Sequence, residues 1–557
     1  MTLVDQRLGI IFGIFAVLLG AAALKAGHMG LIQGGGLSHA ATSQQQDTQP
    51  VFARRGAIVD RNGVALATSE PADDVSATPY LVEKPVAASA KLAPLLGVDE
   101  AELIKKLSVR GGGDGSGFAF LARRVPTSVS DQITALGLAG IDVTPGSRRT
   151  YPHGALAAQL LGTVNIDGEG NFGLEHSSDK ALRGEDGERV SVRNGEGRAI
   201  EVRDTRTAIP GATMALTLDA EIQDRTEQVL EQVGRDFSPK GASAIVMDPR
   251  DGSVLAMANW PKIDANDVGK ASADALQNRA VGYTYEPGST FKAITVAAAL
   301  EDGLVTPGTK FNLPPTIKLY DREIGESHAR GWVTLDTRGI LAQSSNVGAI
   351  KIGQRLGAKR FDQWVRRFGF GSKTGSGLYG EEQGLALDLK NYSGSSMGNL
   401  PIGHGHLVTP IQLASAYGAI ANGGVLRTPR VIDAVNGQAQ PRKGARRVIS
   451  SRTAYEVRNM LKGVFAPGGT ASEVSVPGYE LAGKTGTANK LNTATGEYSD
   501  QDYVASFVGF APADNPKLLV SVLVDEPRGA IYGGEVAAPA FGKIASFALP
   551  YLRIPPK

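Results

Sequence analysis

Tyr285-Glu286-Pro287-Gly288-Ser289-Thr290-Phe291-Lys292 runs into Ala293-Ile294-Thr295-Val296-Ala297-Ala298-Ala299-Leu300, an apolar stretch that stops at Asp302-Gly303. The pattern predicts a helix over 289–302, with Ser289 at its start and Lys292 one turn on, both on one face. A serine there is, by itself, a helix cap. With a lysine three residues on, it becomes a candidate nucleophile beside a candidate base, because a hydroxyl attacks only once something takes its proton. Lysine can do this only when neutral. At its ordinary pKa of about 10.4 the charged form is favoured at pH 7 by roughly 4.6 kcal/mol. Burial and a second nearby cation lower that figure.

The rest of the chain supplies both a second cation and further polar groups. Gln343-Ser344-Ser345-Asn346 follows downstream, with Ser344 lying 52 positions beyond Lys292. Lys484-Thr485-Gly486-Thr487 follows Tyr479-Glu480-Leu481-Ala482-Gly483, a run that reads as a strand. Lys484 is the second cation and can attract a substrate carboxylate, and Gly486 permits close backbone approach. Further strands are predicted at 244–247 and 254–257, around the turn Asp248-Pro249-Arg250-Asp251-Gly252, and at 502–511 and 517–525. Helical patterns occupy 221–233, 337–356 and 410–421. The implied fold is mixed α/β, with an antiparallel sheet flanked by helices.

Upstream, helical patterns occupy 86–107 and 127–140, and Asn62-Gly63 between two apolar runs signals a hairpin. Residues 110–117 are a Gly-rich loop with no Lys-Ser/Thr to complete a phosphate loop. Gly168-Glu169-Gly170-Asn171-Phe172-Gly173 fits the dinucleotide fingerprint in letters. The segment after it breaks at Gly184, too soon for a βαβ unit, so a turn is expected. Arg54, Arg55 and Arg61 suggest either an anion site or packing. His404 and His406 lack a third partner for a metal, so a loop near the cleft is expected and no metal is assigned; His153, His176 and His328 are read as structural.

The chain has 557 residues, enough for several domains, and a formal net charge of +2 that gives no reason to expect nucleic acid. It has no cysteine, which excludes disulfides, thiolate nucleophiles and Cys-ligated zinc. Residues 8–24 are uncharged and apolar, about 25 Å as a helix, which is close to the thickness of a bilayer core. The stretch exceeds a signal-peptide core, and the best small-residue cleavage site, Ser38-His39-Ala40, lies far downstream, so a retained anchor at 8–27 is expected. Residues 28–50 follow as a polar, small-residue linker, 51–213 as a non-catalytic domain and 214–557 as the catalytic domain.

With these motifs in hand, the sequence resembles the class B penicillin-binding proteins, most closely the division-specific FtsI type. The ordered set Ser-x-x-Lys, Ser-x-Asn, Lys-Thr-Gly carries the resemblance. So do Arg55-Gly56-Ala57-Ile58-Val59-Asp60-Arg61-Asn62-Gly63, Arg149-Thr150-Tyr151-Pro152-His153-Gly154, Leu161-Gly162 and Gly173-Leu174-Glu175. The resemblance implies a single-pass anchor in the cytoplasmic membrane, an elongated α+β pedestal of the dimerisation type, and a D,D-transpeptidase domain on the outer side. It makes Ser289 the acylated nucleophile, Lys292 its base, Ser344 a proton relay, and Asn346 a ligand of the donor peptide. Lys484 tunes the site, Thr485 and Thr487 bind the terminal carboxylate beside Gly486, and the backbone N–H groups of Ser289 and Thr487 form the oxyanion hole. The implied substrates are peptidoglycan stem peptides and the implied inhibitors β-lactams, with no cofactor. An FtsW-type glycan polymerase and other division proteins are the implied partners.

Alternative functions share parts of this pattern. A β-lactamase needs a deacylating glutamate, and no Glu-x-x-Leu-Asn is present. A D,D-carboxypeptidase has the same three motifs, and an elongation-type transpeptidase differs only in its cellular role. A non-catalytic division scaffold would not require Ser289, Lys292, Ser344, Asn346 and Lys484 together.

Overall fold

Ala242, Ala244 and Val246 face one side of a strand while Ile245 and Met247 face the other, and all five are buried. Since side chains alternate across a strand, both faces of this sheet must be covered. In the computed structural model they are. It describes residues 3–29, 46–108, 118–193, 199–320, 322–442, 444–492 and 497–556. The Gly-rich loop at 110–117 and most of the expected linker at 28–50 lie outside the described residues.

Two compact units emerge. The catalytic-motif unit comprises Arg55–Glu70, Arg149–Arg183 and Ala212–Lys557. Its main elements are α1 (Ala220–Phe237), β1 (Gly241–Asp248), β2 (Ser253–Trp260), α2 (Lys292–Glu301), α3 (Asn346–Arg367), α4 (Pro410–Ala421), β3 (Ala482–Asn492), β4 (Glu497–Ala511), β5 (Leu518–Asp525) and α5 (Gly533–Tyr551). The sheet order is β2-β1-β5-β4-β3, antiparallel throughout. Ile222, Leu230 and Val233 of α1, with Val536, Phe541 and Ile544 of α5, cover one face. Ala293 and Val296 of α2, with Leu413 and Tyr417 of α4, belong to the core on the other. The sheet of the expected mixed α/β domain is thus a central layer, with β3 at its edge.

Two sequence expectations need correction here. The helix read over 337–356 is divided into Thr337–Ala342 and a helix that starts at Asn346, because Ser344 adopts a left-handed backbone with φ +58; Gly357, with φ +70, breaks Asn346–Arg367 just past the expected end. The helix read over 86–107 is likewise divided, into Pro85–Leu96 and Glu100–Ser108, where Gly97 ends the first in the left-handed conformation that glycine reaches without penalty. The Asn62-Gly63 turn is present: Gly63 has φ +88 and the Asp60 amide donates to the Val64 carbonyl at 2.8 Å.

The last unit boundary falls between Gly211 and Ala212, close to the break expected between 213 and 214, while two earlier segments join the catalytic-motif unit. Residues 55–70 and 149–183 belong to the same unit as 212–557. A buried charge cluster ties 55–70 to 149–183. Glu175 is fully buried and accepts from Arg55 Nε at 2.6 Å and Arg149 Nε at 2.7 Å, and Arg55 also reaches Asp179 at 2.6 Å. Arg55 is therefore engaged in packing, with no bound anion needed to neutralise it. The second unit comprises Met1–Arg54, Pro71–Arg148 and Gly184–Gly211. It packs Val75, Leu92, Leu103, Leu121 and Ile133 into its own core, and it contains an antiparallel sheet of Gln46–Val51, Gly187–Arg193 and Ala199–Arg206. It also includes the helix Leu3–Gly27, whose apolar part, Arg7–Gly27, has mean hydropathy 2.3 and no buried surface.

Candidate active site

Ser289 lies in a single 3-10 turn, Gly288–Phe291, that leads directly into α2. Glycine is required before it. Gly288 has φ +53, and a Cβ there would sit 3.0 Å from the Thr487 carbonyl oxygen of β3. The turn and the edge strand are thus in van der Waals contact. Gly486 makes the complementary approach, since a Cβ on it would lie 2.9 Å from Thr290 Cγ2 and 2.3 Å from Ser506 Oγ. These glycines bring Lys484-Thr485-Gly486-Thr487 alongside the turn that carries Ser289.

Lys292 opens α2 and is completely buried. Its ammonium nitrogen donates to the Ser344 carbonyl at 2.6 Å and to Asn346 Oδ1 at 2.5 Å, and lies 3.3 Å from Ser344 Oγ. The break in the helix at Ser344 is what makes this possible. A continuous helix would use the Ser344 carbonyl internally, whereas here Ser345 caps α3 through Gly348 N at 3.0 Å and leaves that carbonyl to Lys292. Lys484, also fully buried, donates to Ser344 Oγ at 2.9 Å and to the Thr485 carbonyl at 3.1 Å. The Ser344 hydroxyl therefore stands between two amines.

Burial lowers the pKa of Lys292 to about 7, opposed by the charge of Glu326. Burial also holds Lys484 well below the usual lysine range, and the neighbouring Lys292 ammonium lowers it further. Once neutral, Lys292 has two N–H groups for the Ser344 and Asn346 oxygens and a lone pair left for a hydroxyl proton. That is the state a general base requires.

Of the sequence-predicted residues, Lys292, Ser344, Asn346, Lys484 and Thr485 form one hydrogen-bonded cluster. Ser289, Gly486 and Thr487 adjoin it through the 288–291 turn and β3. Thr485 Oγ1 pairs with Thr470 Oγ1 at 2.7 Å, and Thr487 Oγ1 accepts from Gly533 N at 3.0 Å. Thr470 and Gly533 were not singled out from sequence. Glu326 was missed as well: it accepts from Ser345 Oγ at 2.6 Å, from the Asn346 amide, and from Arg330. It thereby fixes the start of α3. No motif marks Glu326, and only its position 20 residues before Asn346 in a folded loop makes it important.

The two histidines of the 402–408 loop have separate partners. His404 Nδ1 is 2.9 Å from Glu286, whose carboxylate also accepts from Gly405 N at 2.7 Å and from Tyr498 at 3.0 Å. His406 is fully buried between Phe291 and Phe361, and burial lowers its pKa to about 4.

Known proteins match this chain over most of its length. The penicillin binding protein transpeptidase domain matches residues 242–546, and the penicillin-binding protein dimerisation domain matches 50–216. A probable peptidoglycan D,D-transpeptidase PenA of Neisseria meningitidis is 36% identical over 515 residues, 91% of this chain and 86% of that protein. The peptidoglycan D,D-transpeptidase FtsI of Escherichia coli K12 is 34% identical over 514 residues, 91% of this chain and 85% of the relative. Among solved structures, penicillin binding protein 3 of Mycobacterium tuberculosis, complexed with aztreonam, superposes with a TM-score of 0.72 at 32% identity, covering 91% of this chain and 98% of the other.

Proposed function

This chain belongs to the class B penicillin-binding proteins of the FtsI type, serine peptidoglycan D,D-transpeptidases of septal wall synthesis, and from that premise we propose that Ser289 carries the acyl group. The observation that supports this most directly is the hydrogen-bonded chain Lys292–Ser344–Lys484, with Lys292 one helical turn from Ser289. Ser289 Oγ gives its proton to neutral Lys292 and attacks the carbonyl carbon of the penultimate D-Ala. The backbone N–H groups of Ser289 and Thr487 receive the oxyanion. The C–N bond then breaks, and the departing D-Ala amine takes a proton relayed through Ser344. An amine from a neighbouring strand attacks the ester, loses its proton to the same relay and frees Ser289. Thr485 and Thr487 hold the terminal carboxylate beside Gly486, Asn346 holds the donor peptide and Lys484 supplies the electrostatic bias. A β-lactam follows the first half of this path and stays attached.

The chain is of a membrane-anchored kind, and the helix that would anchor it is Leu3–Gly27. In this reading residues 8–27 cross the cytoplasmic membrane, 28–50 link, and the catalytic unit works on the outer side. Residues 51–213 supply the pedestal, with 55–70 and 149–183 built into the catalytic unit. An FtsW-type glycan polymerase and other division proteins complete the proposed setting.

The test is labelling with a fluorescent penicillin. The unaltered protein should take up the label and Ser289→Ala should not; equal labelling of the two overturns the assignment of Ser289. Products then separate transpeptidation from the carboxypeptidase reading: cross-linked dimers are expected with an acceptor amine present, and trimmed monomers alone would favour hydrolysis.

A further inference from the structure

The end of α3, the first turns of α4 and the antiparallel ribbon Val425–Arg427 with Ala445–Arg447 enclose a separate cavity of about 430 Å³. Arg366, Lys373, Arg427 and Arg446 line it, and among the described residues no aspartate or glutamate does. Arg366 already has partners, Asp362 at 3.2 Å and Asp388 at 2.9 Å. Among the described residues, Lys373, Arg427 and Arg446 have no carboxylate partner. The Nε of Arg427 is buried and has no hydrogen-bond acceptor. Partial burial and the nearby Arg367 guanidinium hold the pKa of Arg446 below its ordinary value.

The walls are fixed in place. Gln412 Nε2 donates to the Ser372 and Gln383 carbonyls at 2.7 and 2.8 Å, and the Thr374 amide donates to Glu381 at 2.7 Å, so the loop carrying Lys373 is held on both sides. Arg427 is half-buried with its Nε unpaired, and Lys373 and Arg446 stand exposed beside it, so like charges gather in an ordered, concave site that an anion would neutralise. The volume lies in the range of small-molecule sites. Guanidinium groups match phosphoryl oxygens in a bidentate geometry, and a diphosphate carries about the charge needed to neutralise Lys373, Arg427 and Arg446 together. A single carboxylate would leave most of that charge unmatched.

We propose that this cavity binds a compact, multiply charged phosphoryl group of the diphosphate class. The site is distinct from the Ser289 cleft and the inference does not rest on the transpeptidase reading. A free diphosphate and a phosphodiester wall polymer offer the same chemistry, and the experiment separates them.

The full chain, in detergent micelles, is titrated calorimetrically with inorganic pyrophosphate. Binding should weaken at least tenfold in Arg427→Gln/Arg446→Gln, while fluorescent-penicillin labelling remains as in the unaltered protein. Unchanged affinity in that double variant overturns the proposal, as does tricarballylate binding as tightly as pyrophosphate. If the double variant loses labelling because it does not fold, Lys373→Gln, on an exposed loop position, decides: weaker pyrophosphate binding supports the site and unchanged binding overturns it. Displacement of pyrophosphate by poly(glycerol phosphate) identifies the polymer as the natural source, and lack of displacement identifies the free diphosphate.

Discussion

To act as the proposed base Lys292 must first lose a proton, and its burial brings that event to about pH 7. The sign follows directly. Below pH 7 the neutral fraction falls about tenfold per unit, and above it the fraction saturates. Acylation of Ser289 should therefore show an acid limb centred near pH 7, measured by stopped-flow with a chromogenic cephalosporin. Glu326 raises the Lys292 pKa, so Glu326→Gln should move that limb to lower pH. An unmoved limb would mean that a different group limits the rate. The three motifs were legible because each is a local word: Ser289 with Lys292, Ser344 with Asn346, Lys484 with Gly486. Glu326 was not, because its role comes from a carboxylate folding back onto the start of a helix 20 residues later, and no local pattern encodes that approach. Thr470 and Gly533 escaped for the same reason, being ordinary residues until β3 is laid beside them.

At the scale of elements, the site depends on places where regular structure stops. Periodicity over 337–356 reads as one helix, and most of it is helical. What apolar spacing cannot reveal is that Ser344 leaves the helix so that its carbonyl faces Lys292. The strands and α4 were legible because their alternation and apolar runs are strong, and Thr409 with Gln412 forms a capping box at the start of α4. Close backbone approaches are less visible. Gly403 has φ +86, and a Cβ there would sit 2.1 Å from the Gly288 carbonyl oxygen, against the turn that carries Ser289. Neither the backbone conformation nor the space suits a side chain. Gly403→Ala should lower the acylation rate at least tenfold and reduce thermal stability by about 1–3 kcal/mol, read by labelling kinetics and calorimetry. The His404–Glu286–Tyr498 contacts, also in this loop region, should persist, so a rate loss in Gly403→Ala points to the displaced turn.

For the whole molecule, the sequence order of domains is simpler than their packing. Arg55, Arg149 and Glu175 are far apart in sequence, yet they share one buried ion cluster in the catalytic unit. A linear reading places all three in the segment before residue 214, because charge pairing across more than a hundred residues leaves no periodic trace. The N-terminal helix is the opposite case, since its composition alone carries the argument. The 21 residues from Arg7 to Gly27 would span about 31 Å at 1.5 Å per residue, matching a hydrocarbon core of about 30 Å. None of that span is buried against the rest of the chain, and Leu8, Ile11, Phe12, Phe15, Val17 and Leu24 are all more than half exposed. So large an apolar surface needs lipid or a partner helix to cover it. A signal peptide would be removed after export, whereas a retained anchor keeps the protein in the membrane fraction. Accordingly, the protein should stay with membranes through high salt and alkaline carbonate washes and be released by detergent, and the mass of its mature N-terminus should include residues 8–27. A mature start at Ala41 with release into the soluble fraction would show that the helix is only an export signal, and the acyl-enzyme chemistry would then have to reach the wall without a tether.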